Sequence, residues 1–379
     1  MRHLLGLIVV AAIVGGAYYL LGLPAFDFKI GSAPASALKI GFVGPLSGEA
    51  AVFGEPIKRA VSLAVKDLNT QGRNIEIIYE DGQCSGDKAM AALQKLINFD
   101  QVKMVIGGVC SGETLAMAPL AEAEGVILFS PAATSAAISH AGFFVFRNVP
   151  ADAQSGFTLA DFLGDKYKNI AIFSDNSEEA QVFRGIFKDR FTELGGQFVI
   201  DSVFTPDAKE KDLRTSIKEK FSAQGGAATT SEAIVINQQT ESLAGFLVKE
   251  IRRQKIKLPL LGTPIFASPK FLEAAGKAAE GALFLELPSL SKNQLRVQAF
   301  LADYQKFFGQ PSGEFYLGAA YDAVNILTQA VAVVGNEPVK IRDYLYNLPE
   351  YDGLIGKYSF DLNGDVVGLR FIIKEIDVP

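Results

Sequence analysis

The chain has 379 residues, 49% hydrophobic and 21% charged, with 36 basic against 42 acidic side chains and a formal net charge of −6. That length and apolar content are enough for two hydrophobic cores. An acidic balance without a lysine or arginine cluster excludes nucleic acid as a partner. With only His3 and His140 present, a histidine metal site or a serine–histidine–aspartate triad lacks its parts, and no catalytic residue, metal or cofactor is expected.

Arg2 precedes an uncharged run from Leu4 to Phe26, long enough to cross a bilayer as a helix. The small-residue site Ala35-Ser36-Ala37 lies well beyond that run, further than a cleavable signal usually places it. Residues 1–37 are therefore expected to be an uncleaved anchor, N-terminus inside and the domain on the periplasmic or extracellular face, or a signal peptide removed after Ala37. No cysteine follows the run, so a lipid-attached start is not supported.

From Leu38 onward, short apolar runs alternate with helical patterns, which marks βα units around a parallel sheet buried on both faces. Strands are predicted at 38–43, 75–79, 104–106 and 126–129. Between the first two, Ile57, Val61, Ala64, Val65 and Leu68 share one helix face; further helices fall near 88–98 and 113–124. A second series opens at 170–173 and continues with a helix carrying Phe183, Phe187, Phe191 and Leu194. Strands at 198–203, 234–236, 258–261 and 282–285 complete it, and the run 225–231 reads as a surface loop. Helices near 293–308, 316–335 and 339–348 then follow without strands between them, so they are expected to return to the first sheet. Asn363-Gly364 suits a hairpin turn, with a last strand at 369–373. Asp361, Asn363 and Asp365 do not make a calcium loop, because glycine stands at the wrong position and no acid closes it. The expected fold is α/β: lobe 1 from 38–149 with 288–348, lobe 2 from 150–287 with 349–379, and a multi-crossing hinge between them. Tyr321 and Asp322 read as packing or hinge contacts.

In open parallel sheets, ligands bind beyond the carboxyl ends of the strands. Two loops stand there: Cys110-Ser111-Gly112-Glu113 and Ser130-Pro131-Ala132-Ala133-Thr134-Ser135. Hydroxyls and free N–H groups at a helix start suit a carboxylate, although serine and threonine caps begin many helices. Cys84 and Cys110, an isolated pair in an exported chain, read as a disulfide or as two buried thiols.

Seven segments in order resemble the branched-chain amino-acid type of periplasmic binding protein, the type I solute receptors of ABC importers. They run from Ile40-Gly41-Phe42-Val43-Gly44-Pro45-Leu46-Ser47-Gly48 through Glu80-Asp81-Gly82-Gln83-Cys84 and Val105-Ile106-Gly107 with Cys110-Ser111. Phe129-Ser130-Pro131-Ala132-Ala133-Thr134 and Phe146-Arg147-Asn148-Val149-Pro150-Ala151-Asp152 come next. The last two are Tyr316-Leu317-Gly318-Ala319-Ala320-Tyr321-Asp322 and Tyr351-Asp352-Gly353-Leu354-Ile355-Gly356. The resemblance implies a Cys84–Cys110 disulfide, a ligand carboxylate on Ser111, Ala132 and Thr134, and Phe53 lining the pocket. It also implies a small-molecule ligand and an ABC permease as partners. The chain departs from the pattern where relatives carry a glutamate for the ammonium: here Gly262-Thr263-Pro264 stands. Glu179-Ala180 replaces a Tyr-Gly pair. An ammonium would then need Asp152, Glu179 or Asp175, with Asp152 first, while Asp152 has an equal claim to be a helix N-cap. A carboxylate ligand without an ammonium fits the same departures. A membrane-tethered sensor and, more remotely, an enzyme are the competing readings.

Overall fold

The computed structural model describes residues 37–221 and 230–378. The apolar N-terminal run and most of the loop at 225–231 lie outside them. Strands β1 (Leu38–Gly44), β2 (Ile75–Asp81), β3 (Met104–Gly107), β4 (Ile127–Ser130) and β5 (Val145–Arg147) form one sheet in the order β2-β1-β3-β4-β5, every pair parallel. Strands β6 (Asn169–Asp175), β7 (Gln197–Phe204), β8 (Ala233–Asn237), β9 (Leu260–Gly262) and β10 (Leu283–Glu286) form the second, parallel throughout and closed at one edge by antiparallel β14 (Ile372–Glu375). The α/β architecture expected from the alternation of patterns is present.

Helices cover the faces as the apolar periodicity dictates. On α1 (Ala51–Thr70), Ile57, Ala60, Val61 and Ala64 are buried against the first sheet. Gly54 lets this helix approach its own strand, since a Cβ there would lie 1.9 Å from the Pro45 carbonyl oxygen. Helices α2 (Gly86–Asn98) and α3 (Ser111–Glu124) pack on the opposite face. In the second half, α4 (Asp152–Gly164) and α5 (Glu178–Glu193) bury Leu159, Leu163, Phe183, Phe187 and Phe191 together. Helices α6 (Glu210–Lys220), α7 (Glu241–Arg253) and α8 (Pro269–Ala275) cover the other face of that sheet. The chain then returns: α9 (Leu295–Phe308), α10 (Glu314–Val334) and α11 (Pro338–Tyr346) bury their apolar faces in the first core. Helix α10 is long and apolar enough to cross a membrane, but most of it is buried inside the protein, which makes it a core helix.

The C-terminal segment differs from the expected division at residue 349. Strands β11 (Tyr351–Gly353), β12 (Gly356–Phe360) and β13 (Val366–Val367) make a small antiparallel sheet whose Leu354, Ile355, Tyr358, Phe360 and Val366 enter the first core. Aromatic packing explains this: the Phe360 ring meets Phe129 edge-on at 5.7 Å and Phe146 at 5.5 Å, contacts worth about 1 kcal/mol each beyond burial. Only β14, at 372–375 rather than 369–373, joins the second sheet. Between β12 and β13, Asp361 accepts the N–H groups of Asn363 and Asp365 and Gly364 takes φ +75°, so the turn is a hairpin as its sequence suggests.

Tyr321 and Asp322 are packing residues. The Tyr321 hydroxyl donates to Asp67 at 2.9 Å, tying α10 to α1. Asp322 accepts the N–H groups of Leu354 at 2.8 Å and Ile355 at 3.1 Å. Burial pushes its carboxyl up to about 7, with those two bonds pulling the other way. A folded-state value above the ordinary one means that the folded chain holds this proton more tightly. The linked stability is complete below about pH 4 and is lost as pH rises through 7. Melting temperature is therefore expected to fall between about pH 4 and 7 and to level off above that, and Asp322→Asn should flatten that slope in thermal unfolding measurements.

Candidate functional site

In the first sheet, β1 lies between β2 and β3, so consecutive connections leave β1 in opposite directions. Such a switch point opens a crevice beyond the carboxyl ends of β1 and β3. A cavity of about 390 Å³ lies there, lined by Phe53, Val109, Cys110, Ala132 and Tyr316 among others. Phe53 comes from the first turn of α1, Val109 and Cys110 from the loop after β3, Ala132 from the loop after β4, and Tyr316 from the first turn of α10. Phe53 is 65% exposed, an apolar ring available to a ligand. A larger groove over α6, α7 and α8 carries charges of both signs, and its buried Glu250 is already paired with Arg214 and Arg253.

The two hydroxyl loops meet at the edge of this cavity. Helix α3 starts at Ser111, with Cys110 at its N-cap. The first N–H groups of a helix have no intrahelical partner, and the helix dipole adds partial positive charge there. Ser111 Oγ accepts the Ser135 N–H at 3.2 Å, which docks the second loop against the helix start. Ser130 is buried and holds that loop from behind: its Oγ donates to the Gly108 carbonyl at 2.7 Å and accepts from Ala133 N at 3.0 Å. Ala132 N reaches the same oxygen only at 3.4 Å, leaving it nearly free for a ligand.

The disulfide implied by the family resemblance is present, with Cα atoms of Cys84 and Cys110 5.4 Å apart. Buried Glu113 reinforces it: its carboxylate accepts the N–H of Cys110 and the N–H of Cys84, each at 3.0 Å. Burial raises the Glu113 pKa while these bonds oppose the rise.

Asp152 is not an N-cap. Ala151 holds that position without any side-chain cap, and Asp152 is the first residue of α4. Its N–H donates to the Thr134 carbonyl at 2.8 Å, which holds this acid against the second hydroxyl loop. Burial pushes the Asp152 pKa up; the Thr134 side chain and the Arg147 charge oppose this, and the Glu179 charge adds to it. Glu179 is exposed in the first turn of α5 and reaches Asp152 through its charge. Asp175 is committed elsewhere, accepting from Ser177 and from Gln239 N at the end of the second sheet.

Sequence reasoning missed Tyr316 as a site residue. It lines the cavity, and its hydroxyl is pushed up to about 12 by burial and, to a lesser degree, by the charge of Asp152. Its position at the head of a long apolar helix gave only a packing signal.

Residues 37–368 match the profile described as periplasmic binding protein. The leucine-, isoleucine-, valine-, threonine- and alanine-binding protein of Pseudomonas aeruginosa is 26% identical over 356 residues, spanning 91% of both chains. Among solved structures, an ABC transporter substrate-binding protein from Desulfitobacterium hafniense in complex with Leu superposes with a TM-score of 0.72, at 23% identity over 90% of this chain and 98% of that one. A solute-binding protein of an ABC transporter from Rhodopseudomonas palustris, in complex with 3,4-dihydroxybenzoic acid, gives 0.68 at 22% identity, covering 90% and 93%. The family is one of transporter solute-binding proteins and not of enzymes. From its profile, the chain belongs to the periplasmic binding protein family, and its relatives and fold place it beside binding proteins for leucine, isoleucine and valine.

Proposed function

We propose that this protein is the extracytoplasmic receptor of an ABC importer and binds an amino acid with an apolar side chain between its lobes. The ligand carboxylate rests on the Ser111 and Thr134 hydroxyls and on the N–H groups of Ala132 and Thr134. The ammonium pairs with Asp152, and the apolar chain lies against Phe53 and Tyr316. Glu179, from the second lobe, adds negative potential on the ammonium side as the lobes close on ligand.

The observation that carries this reading is the bond from the Asp152 N–H to the Thr134 carbonyl at 2.8 Å, which holds a largely desolvated acid beside the carboxylate cradle. A bare organic acid in that cradle would bring a second negative charge close to a desolvated Asp152, which is unfavourable by several kcal/mol. A ligand that carries its own ammonium removes the repulsion. The name of the Pseudomonas relative agrees with such a ligand, and the Rhodopseudomonas aromatic acid supplies the competing class.

Calorimetric titration of the domain from residue 38 with L-leucine, L-leucinamide, 4-methylpentanoate and 3,4-dihydroxybenzoate separates the classes. L-leucine is expected to bind tightest and leucinamide not at all; preference for either deaminated acid overturns the assignment of the ammonium. In the same titration, Ser111→Ala combined with Thr134→Ala should weaken L-leucine at least tenfold, since hydrogen bonds to charged groups are worth about 1.5–3 kcal/mol each. Unchanged affinity would remove both side-chain hydroxyls from the site.

A further inference from the structure

Arg147, at the end of β5, is the largest fully buried side chain among the described residues, and nothing in the ligand chemistry above uses it. Its guanidinium faces the back of the loop at 131–135. Nη1 donates to the Ser135 carbonyl at 2.7 Å and, at a longer 3.4 Å, to that of Ala133. Nε donates to Asp365 Oδ1 at 2.6 Å, and Nη2 to Ser139 Oγ at 2.8 Å. Ser139 Oγ in turn donates to Asp365 Oδ2 at 2.6 Å, closing a ring of bonds. The Arg147 N–H donates to the Gly364 carbonyl at 3.0 Å. One side chain thus joins the binding loop to the hairpin turn at 361–365.

We infer that Arg147, held by Asp365 and Ser139, is the positioning residue that sets the direction of the binding loop's N–H groups; this rests on the reading of that loop as the carboxylate cradle. In a planar trans peptide, a carbonyl and the N–H that follows it point in opposite directions. Drawing the Ala133 and Ser135 carbonyls towards the guanidinium turns the N–H groups of Thr134 and Ala136 away from it. The Thr134 N–H is then free for a ligand oxygen without searching for its orientation, which lowers the ordering loss on binding. A lysine keeps the charge but is a single point donor. It cannot bond the loop carbonyls, Ser139 and Asp365 together in one plane.

The test uses Arg147→Lys and the milder Ser139→Ala, which judges the inference if the lysine variant fails to fold. Amide hydrogen exchange of the ligand-free domain should be at least tenfold faster across residues 133–136 in Arg147→Lys, and severalfold faster in Ser139→Ala. Residues 104–107 and 127–130 should keep wild-type rates. The Kd for L-leucine should rise tenfold or more in Arg147→Lys. Unchanged loop exchange, or equal acceleration throughout the first sheet, overturns the inference by reducing Arg147 to a general stabiliser. Faster loop exchange with an unchanged Kd overturns its role in binding. Should wild type bind neither L-leucine nor 4-methylpentanoate while the loop still loosens, the cradle reading fails and the hold of Arg147 on the loop stands.

Discussion

Asp152→Asn should lower the affinity for L-leucine by roughly a hundredfold and leave 4-methylpentanoate bound as well as before, or better. Truncating one partner of a desolvated, hydrogen-bonded charge pair costs about 2–5 kcal/mol, and 2.7 kcal/mol is a factor of about 100. Asparagine keeps the shape of the side chain and the N–H that binds the Thr134 carbonyl, so the cradle survives. What disappears is the charge that meets the ammonium. The deaminated acid never had that partner and no longer faces a repelling carboxylate. The pH dependence has the same sign. Burial raises the Asp152 pKa, so on acidification this group takes up its proton earlier than an ordinary carboxylate. L-leucine affinity should fall on the acid side, and the asparagine variant should show no such fall. Calorimetry with both ligands at two pH values checks this; equal losses for both ligands at neutral pH would place Asp152 outside the ammonium site.

The loops that line the cavity were legible in the sequence, for a physical reason. Ser111, Ala132 and Thr134 sit in short loops after strongly apolar strands, where parallel-sheet geometry leaves little choice about which way a loop faces. Cys110 follows from the same rule applied to β3, while Phe53 came from the family resemblance. Tyr316 and Arg147 follow from neither, because each acts across a long sequence interval. Tyr316 reaches the cavity from a helix more than 180 residues beyond Ala132. Arg147 could be seen in the Phe-Arg-Asn segment, but its partner Asp365 lies 218 positions away. A local pattern carries no information about such pairs. The placement of Phe360 is similar: an aromatic in a short strand fits either lobe until Phe129 and Phe146 are seen to leave an edge for it. Asp152 shows the opposite limit, where one acid at a helix start has two local meanings and only the placement of the N-cap at Ala151 separates them.

Reduction of the Cys84–Cys110 bond, or Cys84→Ser with Cys110→Ser, should destabilise the fold by about 3 kcal/mol, from the loop entropy released in the unfolded chain. For a domain this large, that is a drop in melting temperature of about 4 °C. Ligand affinity should fall as well, because the clamp ends at the site. Gln83 and Cys84 both hold left-handed backbone angles, φ +51° and +55°, each unfavourable by about 1 kcal/mol for residues other than glycine. The bond and the two Glu113 contacts are what keep this turn against the start of α3. Once the bond is open, Glu113 alone must hold the Cys84 and Cys110 N–H groups, and its burial already disfavours its charge. The helix start then frays at Cys110 and Ser111, where the ligand carboxylate is received. Titrating L-leucine into the serine variant should show a Kd several times higher at a temperature well below its melting point. A lower melting temperature with full affinity would separate the clamp from the site and confine it to stability.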